Sequence, residues 1–195
     1  MTRSLYLFDS QYEPPVAGVD EAGRGCLAGP VFAACVVLQE YIEGINDSKQ
    51  LRPEHRAALD IAIRERALFV GVGIASVEEI ERFNILNASL LAMRRASDGV
   101  PSGVILVDGN KPFCDSPRVV CVPHGDASSY AIAAASIVAK TARDRHMEAL
   151  HIQYPLYGFA KHKGYGTLEH REAILRYGPC AEHRTLFLRK LSKLA

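Results

Sequence analysis

The sequence contains no tryptophan, almost no net charge and no hydrophobic run long enough to cross a membrane. Its 195 residues include 23 Lys and Arg against 22 Asp and Glu, which gives a formal net charge of +1. The longest apolar runs, over residues 31–38 and 131–139, fall well short of the roughly 20 residues that a membrane-spanning helix needs. The amino terminus reaches an acid, Asp9, too early for a secretory signal. We therefore expect a cytoplasmic protein that does not associate with membranes.

Cysteine is scarce as well, and its pattern excludes a structural metal knuckle. The five cysteines are odd in number, and no two have the spacing of a metal-binding pair. We expect reduced thiols in the core or at the surface, at Cys26, Cys35, Cys114, Cys121 and Cys180. The hydrophobic content of 48% and charged content of 23% are those of an ordinary globular protein. The length predicts a single domain over residues 1–195.

The small net charge conceals an uneven distribution. Residues 1–139 carry 12 basic and 17 acidic side chains, whereas residues 140–195 carry 11 basic and 5 acidic ones. The first part therefore has a charge of −5 and the last quarter +6. An acidic body with a basic flank suits a metal site that acts on a polyanion, but a solvated helix face would give the same counts. Charge alone leaves both interpretations open.

Hydrophobic periodicity and turn residues predict strands that come first consecutively and then alternate with helices. Strands are predicted over residues 16–20, 31–38, 68–75, 104–108 and 119–122. Helices are predicted over residues 53–67, from a capping box at Ser76, and over 85–96, 129–151, 168–177 and 186–194, with a loop over 158–166. This order predicts an α/β fold with a mixed sheet covered by helices on both faces, followed by a basic helical segment from about residue 155.

Acidic residues stand where apolar strands end or a helix begins. Asp20 and Glu21 follow the first predicted strand, Asp108 ends the fourth, and Asp126 precedes the long helix. Acids at the carboxyl ends of neighbouring strands are expected to converge. Carboxylate oxygens are the ligands that Mg²⁺ and Mn²⁺ prefer. Each acid alone could be a cap or turn residue, but together these four predict a metal site.

Asp144 is excluded from that site by its distance along the chain. It lies 18 residues after Asp126, which corresponds to about 27 Å along a continuous helix. We expect Asp144 to form an ion pair with Arg143, Arg145 or another basic neighbour.

The turn after the first two acids, Gly23-Arg24-Gly25, allows two interpretations. Glycines let backbone N–H groups approach a ligand that a Cβ atom would keep away. The segment also matches the dinucleotide-binding pattern G-x-G-x-x-A, which would indicate a nucleotide-dependent oxidoreductase. That pattern must open a helix, whereas here a β-branched run follows. Asp20 and Glu21 would also repel a pyrophosphate.

An aromatic residue on a basic, glycine-rich loop is the second candidate binding element. Tyr165 lies between Gly164 and Gly166, directly after Lys161 and Lys163. A tyrosine presented in this way can stack on a base or sugar and read a ribose 2′-OH. A hinge loop whose tyrosine folds back onto the body is the alternative, and the residues alone leave both open.

Taken together, these segments resemble the ribonuclease HII family of type 2 ribonucleases H. The matching stretches occur in the family's order and cover residues 18 to about 187. They read GVDEAGRGCLAGPV (18–31), DSKQL (47–51), ILVDGN (105–110), GD (125–126), IAAASIVAKTARDR (132–145), YPLYGFAKHKGYGT (154–167) and HR (183–184). No single stretch is specific, but the set is.

The resemblance implies a ribonuclease H-like fold with a five-stranded mixed sheet and helices on both sides. It implies endonucleolytic hydrolysis of RNA in RNA–DNA hybrids and cutting 5′ of ribonucleotides embedded in duplex DNA, giving 5′-phosphate and 3′-hydroxyl ends. It also implies two divalent ions, Mn²⁺ or Mg²⁺, and we expect a monomer. The alternative is a non-catalytic nucleic-acid-binding module on the same fold.

Residue roles follow from the same match. Asp20, Glu21, Asp108 and Asp126 resemble the family's metal-binding carboxylates. The residues that would recognise the 2′-OH are Gly23, Arg24, Gly25 and Tyr165. Phosphate contacts are expected from Lys49, Lys161, Lys163 and Arg184. One departure is Ser128, where many relatives carry a lysine, so one phosphate contact is in doubt. Arg24 disfavours the related ribonuclease HIII class, which typically has lysine there and an additional N-terminal domain.

Overall fold

The computed structural model describes residues 2–46, 48, 49 and 51–189. Over these residues the strands are Val16–Ala22 (β1), Val31–Leu38 (β2), Ala67–Ala75 (β3), Val104–Asp108 (β4) and Val119–Val122 (β5). The helices are Thr2–Asp9 (α1), Pro53–Arg66 (α2), Val77–Ala96 (α3), Tyr130–Gln153 (α4), Phe159–His162 (α5), Leu168–Tyr177 (α6) and Thr185–Leu188 (α7). No helix among them is long and apolar enough to cross a membrane.

The five strands form one mixed sheet in the order β3-β2-β1-β4-β5. β1 pairs antiparallel with β2, and β2 pairs antiparallel with β3. β1 and β4 are parallel, as are β4 and β5. The carboxyl ends of β1, β4 and β5 therefore meet at one edge of the sheet. This confirms the predicted mixed α/β sheet.

Helices cover both faces of the sheet, because the inner strands are apolar on both sides. Val19, Cys35 and Val107 pack with α3 on one face. On the other face, Ala34 and Val36 pack with the alanine-rich stretch of α4. At Gly18 a Cβ atom would lie 2.0 Å from the backbone carbonyl carbon of Ala131. The helix therefore lies directly against β1, which brings its side chains close to the carboxyl end of that strand.

The turn chemistry predicted for α3 is present. Ser76 caps the helix, accepting a hydrogen bond from the Glu79 N–H, while the Glu79 carboxylate accepts one from the Ser76 N–H. Asn84 adopts a left-handed φ of 66° and kinks the helix. The two short helices predicted for this region are thus the two halves of α3.

Several predicted boundaries were wrong. β1 continues to Ala22, two residues beyond the predicted end, because Glu21 and Ala22 still pair with β2. The loop predicted over residues 158–166 contains helix α5, and α1 was not predicted. The helix predicted over 186–194 lies partly outside the described residues, as do two members of the 47–51 motif, Asp47 and Gln50.

Candidate active site

Parallel pairing of β1 with β4 brings Asp20 and Asp108 together. Val19 is the register partner of Val107, so Asp20 and Asp108 follow at the same level of neighbouring strands. Asp20 is buried, with 5% of its surface exposed. Asp108 accepts a hydrogen bond of 2.7 Å from the Gly125 N–H, which ties β4 to the segment that carries Asp126. The sheet edge therefore collects acids from three distant parts of the chain.

Glu21 lies next to this pair but contacts a basic side chain of the glycine turn. Its Oε1 atom accepts a hydrogen bond of 3.0 Å from Arg24 Nη1. Its Oε2 atom is buried and has no hydrogen-bond partner. A buried carboxylate oxygen without a donor is destabilising, and a bound cation would satisfy it.

Asp126 lies one residue beyond Gly125 and is also engaged by a cation. Its Oδ2 atom is 2.6 Å from Lys49 Nζ, and the carboxylate side chain is only 8% exposed. The neighbouring residue Ser48 forms a buried hydrogen bond of 2.7 Å with Ser136 of α4, and Ser136 in turn bonds the Asp20 carboxylate. Ser48 and Ser136 were not predicted as site residues, because a serine in a helix or turn carries no signal of its own.

Burial and mutual repulsion raise the pKa of two of these acids. The pKa of Asp20 lies well above its ordinary value because the carboxylate is desolvated and because Glu21 and Asp108 are close. The pKa of Glu21 is also raised, chiefly by burial, although Arg24 lowers it and Asp108 raises it. Asp20, Glu21 and Asp108 thus form one electrostatically connected group.

This group does not form a finished metal site as it stands. Across the described residues, no three His, Cys, Asp or Glu side chains are grouped tightly enough to hold one ion. Arg24 and Lys49 each hold one carboxylate, and a backbone N–H holds a third.

The glycine turn follows β1 directly and rests on a buried arginine. Gly23 has a φ of 101°, and a Cβ atom there would lie 2.1 Å from Arg143 Nε. No atom lies within 4 Å of the corresponding position at Gly25, so the turn is open on that side. Ala28 is followed by Gly29 and Pro30, which lead into β2 and not into a helix. The dinucleotide-binding interpretation was therefore wrong.

Tyr165 is presented at the surface by a backbone that is firmly held. The residue is 42% exposed, and its ring lies 5.6 Å from Lys140 Nζ and 5.9 Å from Arg143 Cζ. Burial raises the pKa of its hydroxyl. The Tyr165 carbonyl accepts hydrogen bonds from the Thr167 N–H and from His170 Nδ1. Its ring therefore lies over Arg143, the same arginine on which the glycine turn rests.

The four basic residues expected to contact phosphate differ in their exposure and in the groups that they contact. Lys161 and Lys163 form ion pairs with Glu169 and Glu148, at 2.5 and 2.6 Å. Lys49 is exposed but holds Asp126. Arg184 is completely buried and donates to backbone carbonyls, so it cannot reach a phosphate in this conformation. Its neighbours in sequence gave no sign of this burial, and a phosphate contact by Arg184 stays a prediction.

Asp144 lies on α4, which begins at Tyr130 and not at Asp126, and it is engaged in ion pairs as predicted. It forms ion pairs with Arg56 at 3.1 Å and with Lys140 at 2.5 Å. The partners are thus other basic neighbours and not the adjacent arginines. A separate groove of about 570 Å³, lined by Tyr6, Tyr130 and others, lies at the amino end of β1, away from the acids.

Comparison with known proteins identifies this arrangement. The family model described as ribonuclease HII matches residues 17–190. The chain belongs to the ribonuclease HII family. A relative named ribonuclease HII from Delftia acidovorans is 53% identical over 182 residues, which cover 90% of this chain and 77% of the relative. Another of that name, from Thermotoga maritima, is 54% identical over 174 residues, covering 88% and 72%. The relatives carry the name of a nuclease and not of a binding module.

Solved structures agree with the ribonuclease H-like fold. The ribonuclease H2 from Pyrococcus horikoshii OT3 is similar with a TM-score of 0.74 and 28% identity, covering 92% of this chain and 97% of that one. Bst-RNase HIII, solved in complex with Mn²⁺, has a TM-score of 0.71 at 21% identity, covering 92% and 70%, and supports the fold alone. Membership of the family makes this chain a hydrolytic, metal-dependent ribonuclease.

Proposed function

We propose that this chain hydrolyses the RNA strand of RNA–DNA hybrids and cuts on the 5′ side of ribonucleotides embedded in duplex DNA. The products would be 5′-phosphate and 3′-hydroxyl ends. The observation that carries the proposal is the group of buried and half-buried acids at the carboxyl edge of β1 and β4, next to the Gly-Arg-Gly turn that follows β1. Family membership supplies the reaction class, and this juxtaposition would determine where the strand is cut.

Two divalent ions, Mn²⁺ or Mg²⁺, would be held by Asp20, Glu21, Asp108 and Asp126. The donor set fits hard cations, because it consists of carboxylate oxygens on rigid strands and at the start of a helical turn. The unpaired Glu21 Oε2 atom and the raised pKa of Asp20 both indicate that the group lacks positive charge. When bound, such ions activate a water molecule and stabilise the leaving 3′-oxygen of a phosphodiester.

The protein's own residues would prepare this site. Ser136 donates to Asp20 and the Gly125 N–H donates to Asp108, so each carboxylate is oriented before any ligand arrives. Arg24 and Lys49 partly neutralise Glu21 and Asp126 in the meantime. Both basic side chains are largely exposed and can move toward a phosphate when cations take over their carboxylates.

Recognition of the ribonucleotide would fall to the turn Gly23-Arg24-Gly25 and to Tyr165. The open space at Gly25 would let a sugar approach the backbone, and the exposed Tyr165 ring contacts Arg143, on which the turn rests. A site with polar groups placed for one hydroxyl rejects a substrate that lacks it, because those groups would remain unpaired. Such a site would discriminate against DNA without reading the base.

The remaining expectations also belong to this proposal. The chain would act as a monomer in the cytoplasm, and residues 1–195 would fold as a single domain whose basic segment begins near residue 155. Packing supports the last point, since Tyr157, Phe159 and Ile174 share a buried cluster with Met147 and Leu150 of α4. The five cysteines are free, in keeping with a reducing compartment.

The proposal is tested with an end-labelled DNA duplex that contains one ribonucleotide. We expect cutting 5′ of the ribonucleotide with Mg²⁺ or Mn²⁺ and none with chelator. Asp108→Asn should lower the rate on the order of 100-fold or more, because one ligand charge is lost at the reacting centre. Asp98→Asn, the same change at an exposed position, is the control. Undiminished cutting by Asp108→Asn would contradict the assignment, and metal-independent binding without cutting would favour a binding module.

A further inference from the structure

Two arginines are completely buried and form no ion pair within the part of the chain that the structure describes. Arg143 and Arg184 both have 0% exposure. Neither takes part in any of the ion pairs found among the described residues. A buried charge without a counter-charge is costly unless its donors are satisfied. The burial of both guanidinium groups must therefore be explained by the hydrogen bonds that they donate.

Arg184 holds the segment that follows the glycine turn. Its Nε and Nη2 atoms donate to the Gly29 carbonyl at 2.9 and 2.7 Å, and Nη1 donates to the Arg24 carbonyl at 3.1 Å. All of these contacts fall on one side of the site, between residues 24 and 29.

Arg143 instead reaches both sides of the site. On the side of the glycine turn, Nε donates to the Pro30 carbonyl at 3.2 Å and Nη2 to the Ala28 carbonyl at 3.1 Å. On the side of the tyrosine loop, Nη1 donates to the Lys163 carbonyl at 2.8 Å. The same guanidinium lies 5.9 Å from the Tyr165 ring. One side chain thus connects the two elements that would recognise the ribose.

The backbone contacts between these elements leave little freedom for an alternative arrangement. The Leu27 N–H donates to the Gly164 carbonyl at 2.9 Å. A Cβ atom at Gly164 would lie 2.6 Å from the Ala28 carbonyl oxygen, and one at Gly23 would lie 2.1 Å from Arg143 Nε. The turn and the loop therefore meet at a joint that Arg143 fills.

We propose that Arg143 is a positioning residue for ribonucleotide selectivity, which sets the distance between the Gly23-Arg24-Gly25 turn and Tyr165. The proposal rests on the proposed function. Arginine suits this role because its planar fork offers five donors in fixed directions, and three different carbonyls are satisfied at once. A lysine would keep the charge, but its single ammonium group cannot bridge both sides with the same geometry.

The first experiment is a double-mutant cycle on cutting at a single embedded ribonucleotide. Arg143→Lys should lower the rate on the order of 10-fold in the wild-type background, and less than about 3-fold when Tyr165 is already alanine, because coupled residues are non-additive. Arg64→Lys, which alters an arginine paired with Asp60 on α2, should change neither rate. Full additivity of Arg143→Lys with Tyr165→Ala would overturn the proposal.

A second measurement tests the contact between the glycine turn and the tyrosine loop without relying on cutting. Hydrogen exchange at the Leu27 amide should become faster in Arg143→Lys, while exchange in α3 and the affinity for Mn²⁺ stay as in the wild type. Unchanged exchange at Leu27 overturns the proposal even if the protein cuts nothing, so its failure is distinct from failure of the proposed function. If Arg143→Lys does not fold, Arg143→Met is measured in the same way, and failure of both to fold assigns Arg143 to global stability and refutes the positioning role.

Discussion

Asp20 is placed where its charge destabilises the metal-free protein. Its carboxylate is buried and lies near two other acids, and these causes raise its pKa. The folded state therefore retains a proton that the unfolded chain releases above its ordinary pKa. As a consequence, this residue contributes less to stability as pH rises through that range. The proposed function accounts for the arrangement, since the same repulsion would favour binding of a divalent cation.

Asp20→Asn should accordingly raise Tm at pH 8 while abolishing cutting. Each kcal/mol of repulsion removed corresponds to about 2–4 °C for a chain of this size. The gain should shrink as pH falls and disappear below about pH 3, where Asp20 is protonated in both states. Thermal unfolding at both pH values checks this, with Asp98→Asn as the exposed control. Mn²⁺ should stabilise the wild type more than the variant, and a variant less stable than the wild type at pH 8 would contradict this account.

Tyr165 allows the role of a recognition residue to be separated from that of a packing residue. Tyr165 is 42% exposed and Tyr177 is 43% exposed, so both alanine variants should lose similarly little stability. Only Tyr165→Ala should impair cutting at a lone ribonucleotide, by roughly 5- to 100-fold if its ring stacks on the nucleotide. The measurements are initial rates and Tm for both variants. Equal rates would indicate that Tyr165 belongs to a hinge and not to the site.

The acids could be predicted from the sequence, whereas the buried arginines could not. An acid at the end of an apolar strand has a defined position once the strand has neighbours, so Asp20 and Asp108 were placed by pattern alone. An arginine within a charged segment looks the same whether its donors face water or carbonyls. The burial of Arg143 and Arg184 therefore could not be predicted before the positions of the chain segments around residues 24–30 and 163 were known.

At the scale of secondary-structure elements, hydrogen bonds of two histidines, His170 and His183, connect α6 to the loop before it. Both histidines must be neutral to form these bonds. The Cys180 N–H donates to His183 Nδ1, so His183 Nε2 carries the proton and donates to His170 Nε2 at 3.1 Å. His170 Nδ1 then donates to the Tyr165 carbonyl at 2.9 Å. Burial lowers the pKa of His170 and of His183 to about 4 each. This chain of bonds links α6 to the loop that presents Tyr165.

These histidines predict a loss of stability in mild acid. As pH falls below about 6.5, the unfolded chain binds protons that the folded chain refuses until about pH 4. One such histidine should reduce the free energy of unfolding by roughly 2 kcal/mol between pH 7 and pH 5. His170→Asn keeps a donor for the Tyr165 carbonyl, and its stability should depend less on pH. Urea titrations at both pH values test this, and His55→Asn at an exposed position should match the wild type.

The elements that the sequence failed to predict are those that depend on tertiary contacts. α5 spans only four residues between two left-handed positions, Gly158 and Lys163, so it has no periodic pattern. α1 is held by packing of Leu5 in the core and by Asp9, which accepts a hydrogen bond from the Ala131 N–H. Its short sequence gave no capping signal. The longer elements were found because their start signals are local: Pro53 stands at the start of α2, and Thr167 caps α6.

Over the whole molecule, the uneven charge distribution has to be weighed against the contacts that the basic residues make. The net excess of positive charge lies after residue 139, yet Lys161 and Lys163 are paired with acids and Arg184 is buried. Ion pairs at an exposed surface are weak, so Lys161 can exchange Glu169 for a phosphate at little cost. Lys163 is more firmly held, since its ammonium also donates to the Ala160 carbonyl.

Binding of a duplex should therefore weaken steeply with salt, and Lys161 should account for part of that slope. Each phosphate contact contributes about 0.9 to the slope of log affinity against log salt on duplex DNA. Binding is measured by fluorescence anisotropy with the cutting-deficient Asp108→Asn protein. The NaCl concentration is varied from roughly 50 to 300 mM, a range over which the screening of charges changes substantially. Adding Lys161→Ala should lower the slope by about one. Arg118→Ala, at the opposite end of the sheet beside β5, should leave it unchanged. An equal loss of slope in both variants would show that the attraction comes from overall charge and not from a site beside Tyr165.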